Sequence, residues 1–266
     1  MVRTHGQGRG AASSAFWRSM VLAGAMLAAS VGAADAQALP FSAGETCVYR
    51  GSSALGRIGT GTMAVEPAQL DGANLLLMRF DFRGRVGPAV VEDHSRSWFD
   101  AASRGVRRFT KAERSPLGSR NEDVRMDAAA RRWRPTAGGT GGAMPTDAPL
   151  DELSFLYFIR TLRLANGDSY TLARHFDAAR SPVRVRVVGR GPIRVPAGLF
   201  QTIEVEMRVI DPVRYRGEGV VQLHYTDDAR RILVRMESAI PRAGRMVLSL
   251  ESGAGGCTAA QGARIP

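Results

Sequence analysis

The sequence predicts a mainly β protein: a single curved antiparallel sheet of roughly a dozen strands, closing into a barrel or sandwich, with one main helix. Strict alternation carries most of that prediction. Val183, Val185 and Val187 alternate with Arg184 and Arg186, and Ile203, Val205, Met207 and Val209 with Glu204, Glu206 and Arg208. Met246, Leu248 and Leu250 alternate with Val247, Ser249 and Glu251. One face of each such strand is buried and one is wet, the signature of antiparallel sheets. The second observation is Leu223 to Ser238, which reads as a hairpin. Leu223 and Tyr225 share one parity before a polar turn of Thr226, Asp227 and Asp228, and Ile232, Val234 and Met236 share one after it.

The bulk numbers agree with one globular core. The chain has 266 residues, of which 44% are hydrophobic and 23% charged, and a chain of this size buries enough surface to need no staples. One domain over residues 37–266 is expected. The net charge is +11, and 35 of the 36 basic residues are arginine, Lys111 being the lysine. Guanidinium groups favour phosphate, but these are spread along the chain rather than clustered, so no nucleic-acid partner is expected.

The first 36 residues read as a signal peptide. Arg3, Arg9 and Arg18 precede an apolar run from Met20 to Val31, and Ala34-Asp35-Ala36 fits a cleavage site before Gln37. The run is shorter than the ~20 residues a spanning helix requires. No cysteine stands at the cut, so a periplasmic or secreted protein is expected rather than a lipoprotein, with no transmembrane segment in the mature chain.

In order, Phe41–Arg50 reads as the first strand with a turn before it. Gly56, Gly59 and Gly61 resemble half of a phosphate loop, but Met63 and Val65 continue as strand, so a bulge or strand crossing is the expected role. Leu75–Phe82, Val90–Phe99, Val106–Ala112 and Asn121–Asp127 are short, β-compatible and bounded by turn residues. Gly138–Pro149 reads as a surface linker. It leads to the expected helix, Leu150–Leu164, with Asp151 and Glu152 at its favourable N-terminal end and Asn166-Gly167 as its stop. Pro196-Ala197-Gly198 has the spacing of a tight turn.

Several of these pieces resemble, as an ordered set, an uncharacterised bacterial family, domain-of-unknown-function family 3108. They are Phe41, Gly44, Glu45 and Tyr49; Asp151, Ser154 and Arg160; Pro196-Ala197-Gly198 with Phe200; and Thr226–Arg231 (TDDARR). The likeness runs from about Phe41 to Leu250, although family members tend to carry tryptophan where this chain has His224 and proline where it has Leu233. The resemblance implies an exported protein and supplies no catalytic residues. The expected architecture is also similar to that of periplasmic lipoprotein carriers, a likeness of fold that does not fix function.

Cys47 and Cys257 are an even pair suited to a bridge in an oxidising compartment. Such a bridge contributes on the order of 4–5 kcal/mol in the chain-entropy model and would pin the first and last strands. Three histidines, His94, His175 and His224, have aspartates nearby, yet no HExxH or His-x-His spacing occurs, so no metal site or cofactor is expected. Ser95 and Ser97 fall on the strand face opposite His94 and lack a nucleophile elbow. Adjacent Asp227 and Asp228 suit a turn better than a pair of opposed carboxylates. No catalytic residue is assigned.

The remaining candidate is a binding site beneath the helix. Leu153, Leu156, Tyr157 and Ile159 either fill the core or roof an apolar pocket on the concave side, where Arg160 or Arg163 would meet an acidic head group. The expected function is therefore non-enzymatic: an exported or cell-envelope-associated protein that binds a lipid or other amphiphile. The alternative is a structural or assembly factor docking on an envelope protein, and a hydrolase stands third.

Overall fold

The computed structural model describes residues 38–257 except 117, 242 and 243. The signal peptide expected over residues 1–36 lies outside the described residues. The strands are β1 (Thr46–Ser53), β2 (Gly56–Leu70), β3 (Ala73–Val86), β4 (Ala89–Asp100), β5 (Gly105–Ser115), β6 (Gly118–Asp127), β7 (Arg132–Pro135) and β8 (Gly142–Ala143). After helix α1 (Glu152–Phe158) come β9 (Ser169–Leu172), β10 (Val183–Val195), β11 (Gly198–Asp211), β12 (Gly217–Thr226), β13 (Leu233–Ile240) and β14 (Gly244–Ala254). All fourteen lie in one sheet, ordered β8-β7-β6-β5-β4-β3-β2-β1-β14-β13-β12-β11-β10-β9.

Every pairing between these strands is antiparallel, as the alternation predicts. The sheet does not close. Its edges, β8 and β9, are short strands, which leave little unpaired backbone to recruit another chain. The first and last strands, β1 and β14, pair in the middle of the sheet, where the Cys47–Cys257 disulfide ties them across 210 residues of sequence.

Because hairpins alternate direction, the turns sort into two groups. Those after β1, β3, β5, β11 and β13 gather at one end of the sheet, and those after β2, β4, β6, β10 and β12 at the other. Register shifts at Val48/Tyr49, Gly51/Ser52, Trp98/Phe99, Val187/Gly189 and His224/Tyr225 bend individual strands and help the sheet curve.

Two expectations change. The helix is shorter than Leu150–Leu164: α1 ends at Phe158, a 3-10 turn covers Ile159–Thr161, and Leu162 is already extended. Its start is fixed by a capping box in which the Asp151 carboxylate accepts from the Leu153 and Ser154 amides while the Ser154 hydroxyl accepts from the Asp151 amide. Its end is fixed by tertiary contacts, described below, rather than by Asn166-Gly167. Gly138–Pro149 is also more than a surface linker. Gly142–Ala143 pairs with β7, Met144 is buried, and the Pro149 carbonyl accepts from the Val106 amide. The Trp133 indole lies against Gly142, where a Cβ would come within 2.6 Å of the ring nitrogen.

Candidate functional site

The concave face divides along the helix. On one side of α1 the space is filled; on the other it holds a cavity of about 510 Å³.

The filled side is organised by Arg160. Its guanidinium forms a bidentate pair with Glu45, at 2.6 Å to Oε1 and 2.8 Å to Oε2, and donates to the carbonyls of Pro40 and Arg230. Both partners of the ion pair are almost fully buried. Burial opposes the charge on Arg160, but the Glu45 carboxylate outweighs it and raises the pKa. The guanidinium also lies over the rings of Phe41 and Tyr157, at 5.3 and 5.5 Å. Arg231 returns the contact by donating to the carbonyls of Arg160 and Leu162, which ends the helix. The turn that presents both arginines is tied by Asp228, whose carboxylate accepts from the Thr226 hydroxyl and from the amides of Arg230 and Arg231. Tyr225 and Tyr49, both fully buried, donate to the carbonyls of Leu156 and Leu233.

Glu45, Tyr49, Arg160 and the TDDARR turn therefore form one assembly. Of the anticipated pocket residues, Tyr157 and Arg160 belong to this packed side, Ile159 is fully buried, and Arg163 is exposed and paired with Asp168. Every Arg160 nitrogen is committed to Glu45 or a carbonyl, so none is available for an acidic head group.

Leu153 and Leu156 instead face the cavity. Its apolar wall includes Met63, Phe80, Phe82, Met207, Val221, Met236 and Leu248. Glycine makes room for the rings. A Cβ on Gly51 would lie 2.5 Å from the Phe82 ring, and one on Gly59 would lie 2.3 Å from the Arg83 carbonyl oxygen and 2.6 Å from Gly84. The glycine-rich stretch thus serves a close strand crossing on which aromatic rings lie, as its sequence context predicts.

The polar wall is a charged cluster. Lys111 Nζ lies 2.9 Å from Asp93, 2.9 Å from Glu152 and 3.5 Å from Glu113. Arg180 reaches Glu152 and Asp211, both at 3.3 Å. Arg214 pairs with Glu113 at 2.7 Å, and outside the lining Arg120 pairs with Glu122 at 2.6 Å. Burial disfavours the Lys111 ammonium, yet Glu152 and Asp93 reverse that and hold its pKa above the ordinary lysine value. Burial likewise opposes charge on Glu152, but Lys111, Arg120, Arg180 and Arg214 carry it well below the carboxylate range. Glu152 retains 30% side-chain exposure although it sits deep in the fold, because it faces the cavity.

His175 borders the cavity, stacked between Phe155 and Phe176, with its Nδ1 accepting from the Asp177 amide. Burial pushes its pKa down to about 4, helped by Arg180. His94 pairs with Asp81 on the other face, and His224 sits on β12 between Glu204 and Arg235. The three histidines do not converge. Ser95 donates to Asp93 and Ser97 to Asp151, opposite His94 as the alternation requires. Asp227 and Asp228 serve the turn, Asp227 pairing with Arg190. Sequence reading missed the cavity cluster because Asp93, Lys111, Glu152, Arg180 and Arg214 come from five separate segments. The one legible signal was a lone lysine on a strand with inward parity.

The model of the family of proteins of unknown function designated DUF3108 matches residues 48–250. The chain belongs to this family. Within this DUF3108 protein, Phe41, Gly44 and Glu45 precede the matched span, yet Phe41 and Glu45 pack against Arg160 inside it. Among curated proteins none matches the chain. Three solved structures are similar at 12% identity. A β-barrel-like protein of a different domain of unknown function (DUF1849), from Brucella abortus, has a TM-score of 0.49 over 81% of this chain and 98% of its own. A protein from Bacteroides fragilis described as exported, with a YmcC-like fold, has a TM-score of 0.33 over 82% and 98%. One from Parabacteroides distasonis described as a lipoprotein has a TM-score of 0.33 over 81% and 98%. No helix among the described residues is long and apolar enough to cross a membrane.

Proposed function

We propose that this DUF3108 protein is an exported, non-enzymatic carrier that holds an amphiphile in the cavity beneath its sheet. The observation that carries the reading is the cavity itself: about 510 Å³, within the usual range of ligand sites, mostly apolar, with polar groups concentrated on one wall. A chain of methylenes would lie against Phe80, Phe82, Met236 and Leu248, and its head would meet the Lys111–Glu152 cluster.

The cluster's charge bears on the head group. Apart from Glu92, which pairs with Arg83, the lining holds four carboxylates (Asp93, Glu113, Glu152 and Asp211) and three cations (Lys111, Arg180 and Arg214). One negative charge is in excess, so a head that donates hydrogen bonds or carries positive charge suits the site better than a bare carboxylate. Export is supported by the sequence of residues 1–36 and by the disulfide, which persists in an oxidising compartment.

The test is N-phenyl-1-naphthylamine fluorescence on the isolated protein, with native mass spectrometry for copurified amphiphile. The probe should brighten, a monoacylglycerol or long-chain amine should displace it better than a fatty acid, and Met207→Trp, which puts a larger ring into the cavity, should weaken binding. Neither probe binding nor copurified amphiphile in any preparation would overturn the carrier. For export, N-terminal sequencing of the mature protein should read from Gln37; an intact N-terminus contradicts cleavage there.

A further inference from the structure

The cavity reaches the surface at one end of the sheet, since its lining includes the exposed turn residues Ala54, Leu55 and Pro116. The turns at that end have an unusual composition. Stretches 53–57, 83–90, 114–116, 212–217 and 244–245 hold seven arginines, with Glu113, Asp211 and Glu218 as the acidic residues directly beside them. The turns at the opposite end, 71–72, 100–104, 127–131, 196–197 and 227–231, hold Asp71, Asp100, Asp127, Asp227 and Asp228 beside four arginines. The turns at the cavity-mouth end are therefore net basic, while those at the opposite end mix aspartate with arginine.

Two large apolar side chains stand at the tips of that same end. Leu55 is 82% exposed and Val213 86% exposed. They occupy separate turns, after β1 and after β11, at the end that also carries exposed Arg57, Arg83, Arg85, Arg114, Arg216 and Arg245. Arg57, Arg83 and Arg245 have the carboxylates Glu251, Glu92 and Glu237. Arg85, Arg114 and Arg216 have no carboxylate partner among the described residues.

The geometry points to this end as a docking surface for a bilayer with anionic head groups, on which the cavity mouth opens directly. Exposed apolar tips separated by charged turns enter a fluid interface, whereas a protein partner favours a contiguous apolar centre with a polar rim. The arginines supply the attraction to lipid phosphate, which acts over about 8 Å at physiological salt. A mouth facing lipid also gives an amphiphile a path into the cavity that avoids water. This surface extends the carrier reading, and the two fail separately.

The experiment is flotation of the isolated protein with vesicles of phosphatidylcholine alone or with phosphatidylglycerol added. The protein should float with the anionic vesicles, weakly with the neutral ones, and lose binding as salt rises. Val213→Asp should reduce flotation at least tenfold, and Arg216→Ala should weaken it about fivefold, the fold-change one basic residue contributes near an anionic surface. Val188→Asp, on β10 and 43% exposed, should float like the parent. Val213→Asp should still bind N-phenyl-1-naphthylamine in solution, which shows it folded with its cavity intact. Flotation of Val213→Asp equal to the parent overturns the proposal. So does retention on an immobilised polyanion without flotation, which would assign the surface to an acidic protein.

Discussion

The two ends of the sheet are built on opposite principles. At one end, the Cys47–Cys257 bridge, the buried Glu45–Arg160 pair and the Asp228-tied turn lock the first strand, the last strands and the helix together. At the other, the turns carry arginines, two apolar tips are exposed, and a cavity opens between the strands. Fourteen strands share one continuous ladder, yet the means of rigidity and the cavity are kept apart. Placing the first and last strands side by side in mid-sheet allows one end to be fixed covalently while the opposite end stays open.

Breaking the locked end should give the largest effects. Replacing both cysteines by serine releases a 210-residue loop, which costs on the order of 5 kcal/mol in the chain-entropy model. Arg160→Met leaves Glu45 buried and uncompensated and should cost about 3–5 kcal/mol. Both are read from denaturant or thermal unfolding. Below their transitions, both variants should bind N-phenyl-1-naphthylamine like the parent, because the cavity lies on the other side of α1. Loss of probe binding in a folded Arg160→Met protein would show that the two regions are coupled.

The contrast was half legible in the sequence. Alternation at Val183–Val187, Ile203–Val209 and Met246–Leu250 identifies a sheet because side-chain parity is a local property. The ordered motif set identifies the family but not its role: only the structure shows that Glu45, Tyr49, Arg160 and the TDDARR turn gather at the locked end, with Asp151 and Ser154 on the helix cap. The helix length was misjudged because Leu162 and Leu164 continue the apolar spacing. The chain turns extended at Leu162, where Arg231 takes the Arg160 and Leu162 carbonyls. The cavity was not legible. Whether Leu153 and Leu156 meet side chains or space depends on how far the sheet curves, and that is set by register shifts spread over five strand pairs.

At the junction between the regions, two buried groups titrate in opposite directions. Asp151 is pushed up to about 7 by burial, against hydrogen bonds from Ser154 and Ser97. Its folded pKa lies above its unfolded one, so its contribution is fully present below about 4 and is lost as pH rises towards 7. His175, lowered to about 4, contributes fully above about 6.5 and loses that contribution as pH falls towards 4. Between pH 4 and 6.5 the two slopes oppose, so the parent's stability should vary little from these groups. Asp151→Asn keeps an N-cap acceptor and removes one slope. Its stability should rise with pH across that window, by up to about 3 kcal/mol, as measured by urea unfolding at several pH values. A slope no steeper than the parent's would mean that Asp151 is ionised throughout.

The smallest effects should come from single turn residues, and they sharpen the comparison most directly. Asp228→Ala removes an acceptor for three donors at the locked end and should cost about 1–2 kcal/mol. Val213→Ser at the open end exposes nothing new and strands no donor, so it should stay within about 0.5 kcal/mol of the parent. Both positions lie in loops between adjacent strands, so loop position alone predicts equal outcomes. A difference in urea midpoint at unchanged slope would therefore report the hydrogen bonds of the locked turn. Equal midpoints would mean that the Asp228 network adds no stability, and that the locked end rests on the bridge and the Glu45–Arg160 pair alone.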